Sequence, residues 1–268
     1  IDSSMPKKSS KVKKLLTGAT LTGTLLLSSG SQNLKKLPEN PPELRAPLGL
    51  VSTKELRKLL ASKLKKTLPD SSRVLTEKEL TAISKDISKT LGLKAYGELD
   101  GNRLNHQIGS MGLEQHLLRF PGDTVTDRDF QAAGMAPGKG AWGYFTKSRA
   151  QLASADIQRE KCYLAVQTLY LPDWKDRLRE LRDWYKYRKV LVINPENGHA
   201  VVAVIADAGP AKWTGKQFGG SPQVMHDLGY YPKKHKGKTI VLFVDDPEDK
   251  IPLGPITRNM SLPAPKSV

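Results

Sequence analysis

The 268 residues contain a single cysteine, Cys162. No disulfide within the chain can therefore brace the fold. Cys162 leads into the strand-like run Tyr163-Leu-Ala-Val166, which marks it as a buried, inert thiol. No His-Glu-x-x-His and no cysteine pair occurs, so no metal site and no cofactor are expected. Gly138-Lys-Gly140 lacks the spacing of a phosphate-binding loop. No internal repeat is evident. Apolar runs fall short of the ~20 residues that a bilayer span needs, and mean hydropathy is −0.44. Acidic residues are outnumbered, 27 Asp and Glu against 43 Lys and Arg, a net charge of +16.

That charge fits nucleic acid, an anionic membrane surface or an acidic wall polymer. It is uneven, because residues 1–70 hold 14 Lys and Arg against 5 Asp and Glu. With the cations concentrated there and no RNA or DNA motif present, no nucleic acid is expected as a partner. Lys7, Lys8, Lys11, Lys13 and Lys14 precede the apolar stretch Leu15–Leu27, and Ser28-Ser-Gly-Ser31 follows. A basic, then apolar, then small-residue order is that of an export signal. Residues 1–31 are expected to be a signal or membrane-anchor segment, with a solvated basic tail as the alternative. The protein is then extracytoplasmic, secreted or anchored, and its basic N-terminus suits an anionic membrane surface. Residues 32–50, with Pro38, Pro41, Pro42 and Pro47, read as an extended linker.

A helical region is expected over 51–96. Ser52 and Glu55 form a capping box ahead of a stripe of Leu56, Leu59, Leu60 and Leu64, and Leu68-Pro69 stops the helix. Thr76 and Glu79 form a second box, followed by Leu80, Ile83, Ile87 and Leu91 and a stop at Gly92. Residues 97–260 are expected to form a β domain with loop insertions, and 261–268 a flexible tail. Within 97–143, polar groups are dense, and Glu114, His116, Arg119 and Asp123 are candidates to line a cleft; His116 also reads as a hydrogen-bonded structural residue. Ala141-Trp-Gly-Tyr-Phe145 alternates as a first barrel strand, putting Trp142 and Tyr144 on one face where aromatic rings stack on sugars. Residues 97–140 should pack on the barrel as a groove wall. Lys161–Tyr170 is a strand candidate, Asp173–Tyr187 an amphipathic helix and Thr239–Val244 a buried strand. Lys233–Lys238 reads as a basic loop.

The stretch from Lys189 to Gly229 is the most informative. Val190–Ile193 and Ala200–Ile205 flank Asn194-Pro-Glu-Asn-Gly198, a hairpin signal. The second strand delivers Asp207 into Gly209-Pro210. A loop from Lys212 to Gly220 follows, and then a short helix with Ser221 as cap, Pro222 at its first position and Gly229 as stop. This series resembles the double-psi β-barrel of the rare lipoprotein A group and, more loosely, expansins and the barrel of membrane-bound lytic transglycosylase A. The resemblance, joined to the helices, implies an α+β protein: a small N-terminal helical region followed by a six-stranded double-psi-like β-barrel. It implies engagement of peptidoglycan or a related wall glycan, with Asp207 at the pattern's first acid. Where those families carry a second Asp before a Ser, this chain has Gly219-Gly220 ahead of Ser221.

Lytic cleavage of a glycan needs a proton donor that then serves as base. One carboxyl suffices when the sugar supplies its own nucleophile, and by position that carboxyl is Asp207. Burial beside Val204, Ile205 and Ala208 should raise its pKa. Trp213, Lys212 and Ser221 are expected to shape the groove, with Trp142, Tyr144 and His116 as further substrate contacts. No second acid can be placed opposite Asp207 from the sequence, which disfavours a two-carboxylate hydrolase. The alternative is a non-catalytic glycan- or protein-binding envelope module in which Asp207 bonds the turn amides.

Overall fold

The computed structural model describes residues 51–69, 73–131 and 137–262. The expected signal segment, the Pro-rich linker and residues 263–268 of the expected tail lie outside them.

Both capping boxes form. Ser52 caps α1 (Thr53–Thr67) with Glu55 reaching back to it, and Thr76 and Glu79 do the same for α2 (Glu77–Leu91). Leu56, Leu60 and Leu64 of α1 and Ile83, Ile87 and Leu91 of α2 are buried, while Leu59 is left at the edge of its stripe, 39% exposed. Full burial of one such side chain contributes roughly 1.5–3 kcal/mol.

Six strands form the centre: β4 (Ile108–Leu113), β5 (Tyr163–Val166), β6 (Lys189–Ile193), β7 (Ala200–Ala208), β8 (Phe218–Gly220) and β9 (Lys236–Val244). Their hydrogen-bonded neighbours run β4, β8, β5, β7, β6, β9 and back to β4, so the sheet closes into a barrel. The pairs β4–β8 and β5–β7 are parallel; the other four pairs are antiparallel. Short β1 (Ala95–Tyr96) and β10 (Gly254–Pro255) extend β9 and β7 off the ring, and β2 (Glu98–Leu99) pairs with β3 (Asn102–Arg103). Helices α3 (Ser154–Lys161), α4 (Leu178–Tyr185) and α5 (Pro222–Asp227) complete an α+β protein with five helices among the described residues.

The barrel has two hydrophobic layers, which explains the unbroken apolar runs. Val190 and Val192 of β6 face the interior with Ile205, Phe218 and Phe243. Leu191 and Ile193 face outward into a second layer with Ile240, Leu242 and the leucines of α1 and α2. Strands buried on both faces lose the polar–apolar alternation. The β6–β7 hairpin forms with a six-residue connection, closed by Asn194 N–H donating to His199 O at 2.9 Å. Only Gly198 in it takes positive φ, 72°. A β-carbon there would lie 2.0 Å from the Arg57 carbonyl, so glycine also lets α1 approach the hairpin.

Several expectations need correction. The first barrel strand is β4, not Ala141–Phe145. Gly109 and Gly112 hide β4 from a pattern search, yet a β-carbon at either would meet Gln217 or Lys216. Residues 141–145 instead follow a turn closed by Gly143 N–H to Gly140 O at 2.8 Å. Helix α4 starts at Leu178, because Arg177 bridges Asp173 and Glu180 and holds the preceding residues in a turn. The strand expected over Lys161–Tyr170 shortens to β5, ending in a 3-10 turn at Thr168–Tyr170. The basic loop is shorter than expected, since β9 begins at Lys236.

Candidate functional site at the outer face of the barrel

Strands β4, β8, β5 and β7 lie side by side, and their register sets the site. Met111, Leu113, Phe218, Leu164, Val166 and Ile205 belong to the interior. Alternation then turns Gly112, Gly219 and Ala165 outward, in adjacent register: Gly112 opposite Gly219, and Gly219 opposite Ala165. Between Leu164 and Ala165 the register with β7 shifts, so that Ala165 meets Asp207 and not Ala206. An extra residue in one strand re-aims the side chains that follow it. The result is a strip of two glycines and an alanine, all three buried, with Asp207 at one side.

At the other side is Glu114, the residue after β4, whose N–H donates to Gly220 O at 2.8 Å. Its side chain folds over Gly219: a β-carbon there would lie 2.1 Å from Glu114 Oε1, 2.3 Å from Cγ and 2.5 Å from Cδ. The bare glycine at 219 is the room that Glu114 occupies. Lys216 lies over Gly112 in the same way, 2.3 Å from such a β-carbon.

Both carboxyls are half-buried and both titrate above their ordinary values. Burial pushes Asp207 up; its Oδ1 accepts from Ala208 N–H and Ala141 N–H, each at 2.8 Å, which opposes the rise without cancelling it. Burial also pushes Glu114 up, Lys216 opposes, and the charge of Asp207 adds to the rise. The Tyr163 phenol, which donates to Gln115 O, is raised by burial first and then by the charges of Glu114 and Asp207. It lies within the field of both.

The wall beside Asp207 is built by residues 114–131 and 137–141. Leu118 N–H donates to Gly138 O at 2.7 Å and Gly138 N–H to His116 O at 3.1 Å. Gly140 packs against the Ala206 carbonyl, which brings the Ala141 amide to Asp207. Beyond Asp207, Gln167 Nε2 donates to Pro210 O at 2.9 Å and Lys216 O at 3.0 Å, tying both ends of the 210–216 loop. That loop presents Trp213, 90% exposed. Lys212 Nζ sits 4.7 Å from the centre of the exposed Tyr170 ring. Because Trp213 is scarcely packed, Trp213→Ala should leave the unfolding midpoint unchanged within the small range of surface substitutions. A midpoint lowered by several degrees would show that the ring is packed after all.

Other candidates lie elsewhere. Ser221 is fully buried and belongs to the scaffold: its Oγ donates to Lys161 O at 2.5 Å and accepts from Val224 N–H at 3.1 Å as the cap of α5. Trp142 anchors its loop, the indole N–H donating to Arg182 O at 2.7 Å. Tyr144 is half-buried with Lys139 Nζ 5.7 Å from its ring centre, and it shares no strand face with Trp142. His116 is buried, its Nδ1 2.9 Å from Glu160 Oε1 and its Nε2 3.0 Å from Asp129 O. Arg119, Asp123, Arg128 and Glu160 complete that ionic network. Arg119 and Asp123 also line a depression of about 350 Å³ with Thr126, Asp127 and Arg149, so the cluster read as a cleft divides: these two border one, while His116 is buried and Glu114 lies at the barrel. Cys162 is buried, and burial pushes its thiol up to about 12.

Glu114 was within the sequence cluster, but nothing there joined it to Asp207. The one available signal was the bare Gly219-Gly220 where the resembling families carry an acid. Among the described residues no group of three or more side chains is arranged to hold a metal, and no helix is long and apolar enough to cross a membrane. Fold and site define a closed, mixed six-stranded β-barrel with two half-buried carboxyls beside a small-residue strip on its outer face. Comparison with protein-family models and with curated proteins finds no match.

Proposed function

We propose that this protein is an exported, double-psi-like barrel that engages peptidoglycan or a related wall glycan at the small-residue strip and cleaves it with the carboxyls of Asp207 and Glu114. The observation that carries the reading is the pair itself: two half-buried carboxyls of raised pKa flank a strip of Gly112, Gly219 and Ala165. Hydrolysis of a glycosidic bond uses one carboxyl to protonate the leaving oxygen and a second to activate water or stabilise the cation that forms. Perturbed carboxyls at one site are the ordinary mark of acid–base chemistry. The second carboxyl supports hydrolysis in place of the single-acid lytic route expected from Asp207 alone. The exposed Trp213 ring suits a sugar face, and the net charge of +16 suits an anionic polymer. An anionic membrane surface remains part of the proposal through the basic N-terminal residues.

One observation favours a non-catalytic binding module: Asp207 bonds the Ala208 amide of its own turn, as a structural carboxylate does. Incubating the full chain with purified sacculi separates the two. The proposal expects protein in the pellet and soluble glycan fragments in the supernatant. Pelleting with no fragments leaves a binding module, and a protein that neither pellets nor cuts removes wall glycan as the ligand.

A further inference from the structure

Asp207 and Glu114 have unlike surroundings, and the difference assigns their roles within the cleavage reading, on which this inference rests. Asp207 Oδ1 takes two backbone N–H groups, from Ala141 and Ala208, each at 2.8 Å. Amide donors satisfy a carboxylate and gain little from a carboxylic acid. Glu114 is folded over Gly219 with its Cγ, Cδ and Oε1 packed into the room the glycine leaves. Among the described residues, nothing donates a hydrogen bond to it. We propose that the two carboxyls divide the work: Glu114 delivers the proton to the glycosidic oxygen, and Asp207 stays ionised and receives a proton from the attacking water.

The step balances with water as the only co-reactant. The bond from the anomeric carbon to the leaving oxygen breaks as the Glu114 proton passes to that oxygen. The water oxygen bonds to the anomeric carbon, and its proton goes to Asp207. Exchange with solvent returns Asp207 to carboxylate and Glu114 to acid, and one water is consumed per bond cut.

The charges facing the pair agree with this division. Asp207 on β7 favours the neutral form of Glu114, while Lys216, before β8, opposes it and keeps the acid from being held too tightly. Tyr163 on β5 is itself kept neutral by burial and by both carboxyls, so it adds no charge. Carboxyls whose environments separate their titrations take the acid and base roles in that order.

The test is a carbon-13 titration of the side-chain carboxyls in the full chain, wild type beside Asp207→Asn and Glu114→Gln. The Glu114 resonance is identified by its loss in Glu114→Gln, or by its shift in Glu114→Asp should the first variant fail to fold. The assignment expects Glu114 to titrate above the ordinary glutamate value of about 4.3, above Asp207, and to move down in Asp207→Asn. The alkaline limb of fragment release should follow the Glu114 midpoint. Asp207 titrating above Glu114, or a Glu114 midpoint unmoved by Asp207→Asn, overturns the assignment. Correct titrations with no fragments released would sink the cleavage reading alone. Fragments released with Asp207 holding the higher midpoint would sink the assignment alone.

Discussion

Glu160→Ala should lower the stability of the protein by about 3 kcal/mol, the low end of the cost of breaking a buried ion pair. Glu160 on α3 is 1% exposed and faces two partners: Arg128 Nη1 at 2.7 Å and His116 Nδ1 at 2.9 Å. Removing it strands much of the Arg128 charge. The loss stops short of the upper end because Arg128 keeps Asp123 and the Leu117 carbonyl, the latter at 2.5 Å. For a unit of this size the change lowers the unfolding midpoint by about 6–12 °C. A midpoint within 2 °C of wild type would mean that the network does not brace the wall. The effect should reach Asp207. Arg128 fixes Leu117, Leu118 bonds Gly138, and Gly138 leads to the Ala141 amide that meets Asp207. Faster amide exchange at Leu118 and Ala141 is therefore expected in the same variant.

Gly219→Ala separates stability from chemistry. The new β-carbon would fall on the Glu114 side chain, 2.1 Å from Oε1, 2.3 Å from Cγ and 2.5 Å from Cδ. Glu114 is a flexible side chain following β4, so it can swing away, and the pairing of β8 with β4 and β5 survives. The variant should unfold within a few degrees of wild type. Its rate of fragment release should fall by about 100-fold, the low end of what one acid–base group contributes. A stable variant with an unchanged rate would remove Glu114 from the reaction.

The parts of this architecture that the sequence announces are local. Each capping box needs residues three apart. The β6–β7 hairpin needs two valine-rich runs and Asn197-Gly198. The α5 start needs Ser221-Pro222. Each is visible because the interaction lies within a few residues. Asp207 was legible for the same reason, as an acid where a strand enters Gly209-Pro210. The rest of the site depends on register between distant strands. Strand β4 was hidden because Gly109 and Gly112, which make room for Lys216 and Gln217, also erase its alternation. The shift that aims Asp207 at Ala165 exists only in the β5–β7 pair, and Glu114 comes into the field of Asp207 only through β8 and β5. Ser221 and His116 show the converse. A helix cap and a groove residue have the same letter, and only burial separates them.

Fragment release from purified sacculi by the full chain, wild type beside Asp207→Asn, tests the central claim most directly. Asparagine keeps the size of the side chain and an oxygen for the Ala141 and Ala208 amides, so the fold should persist. The account predicts soluble muropeptides from the wild type and a loss of at least about 1000-fold in the variant, with both still sedimenting with the wall. Release that continues undiminished in a folded Asp207→Asn protein would contradict it.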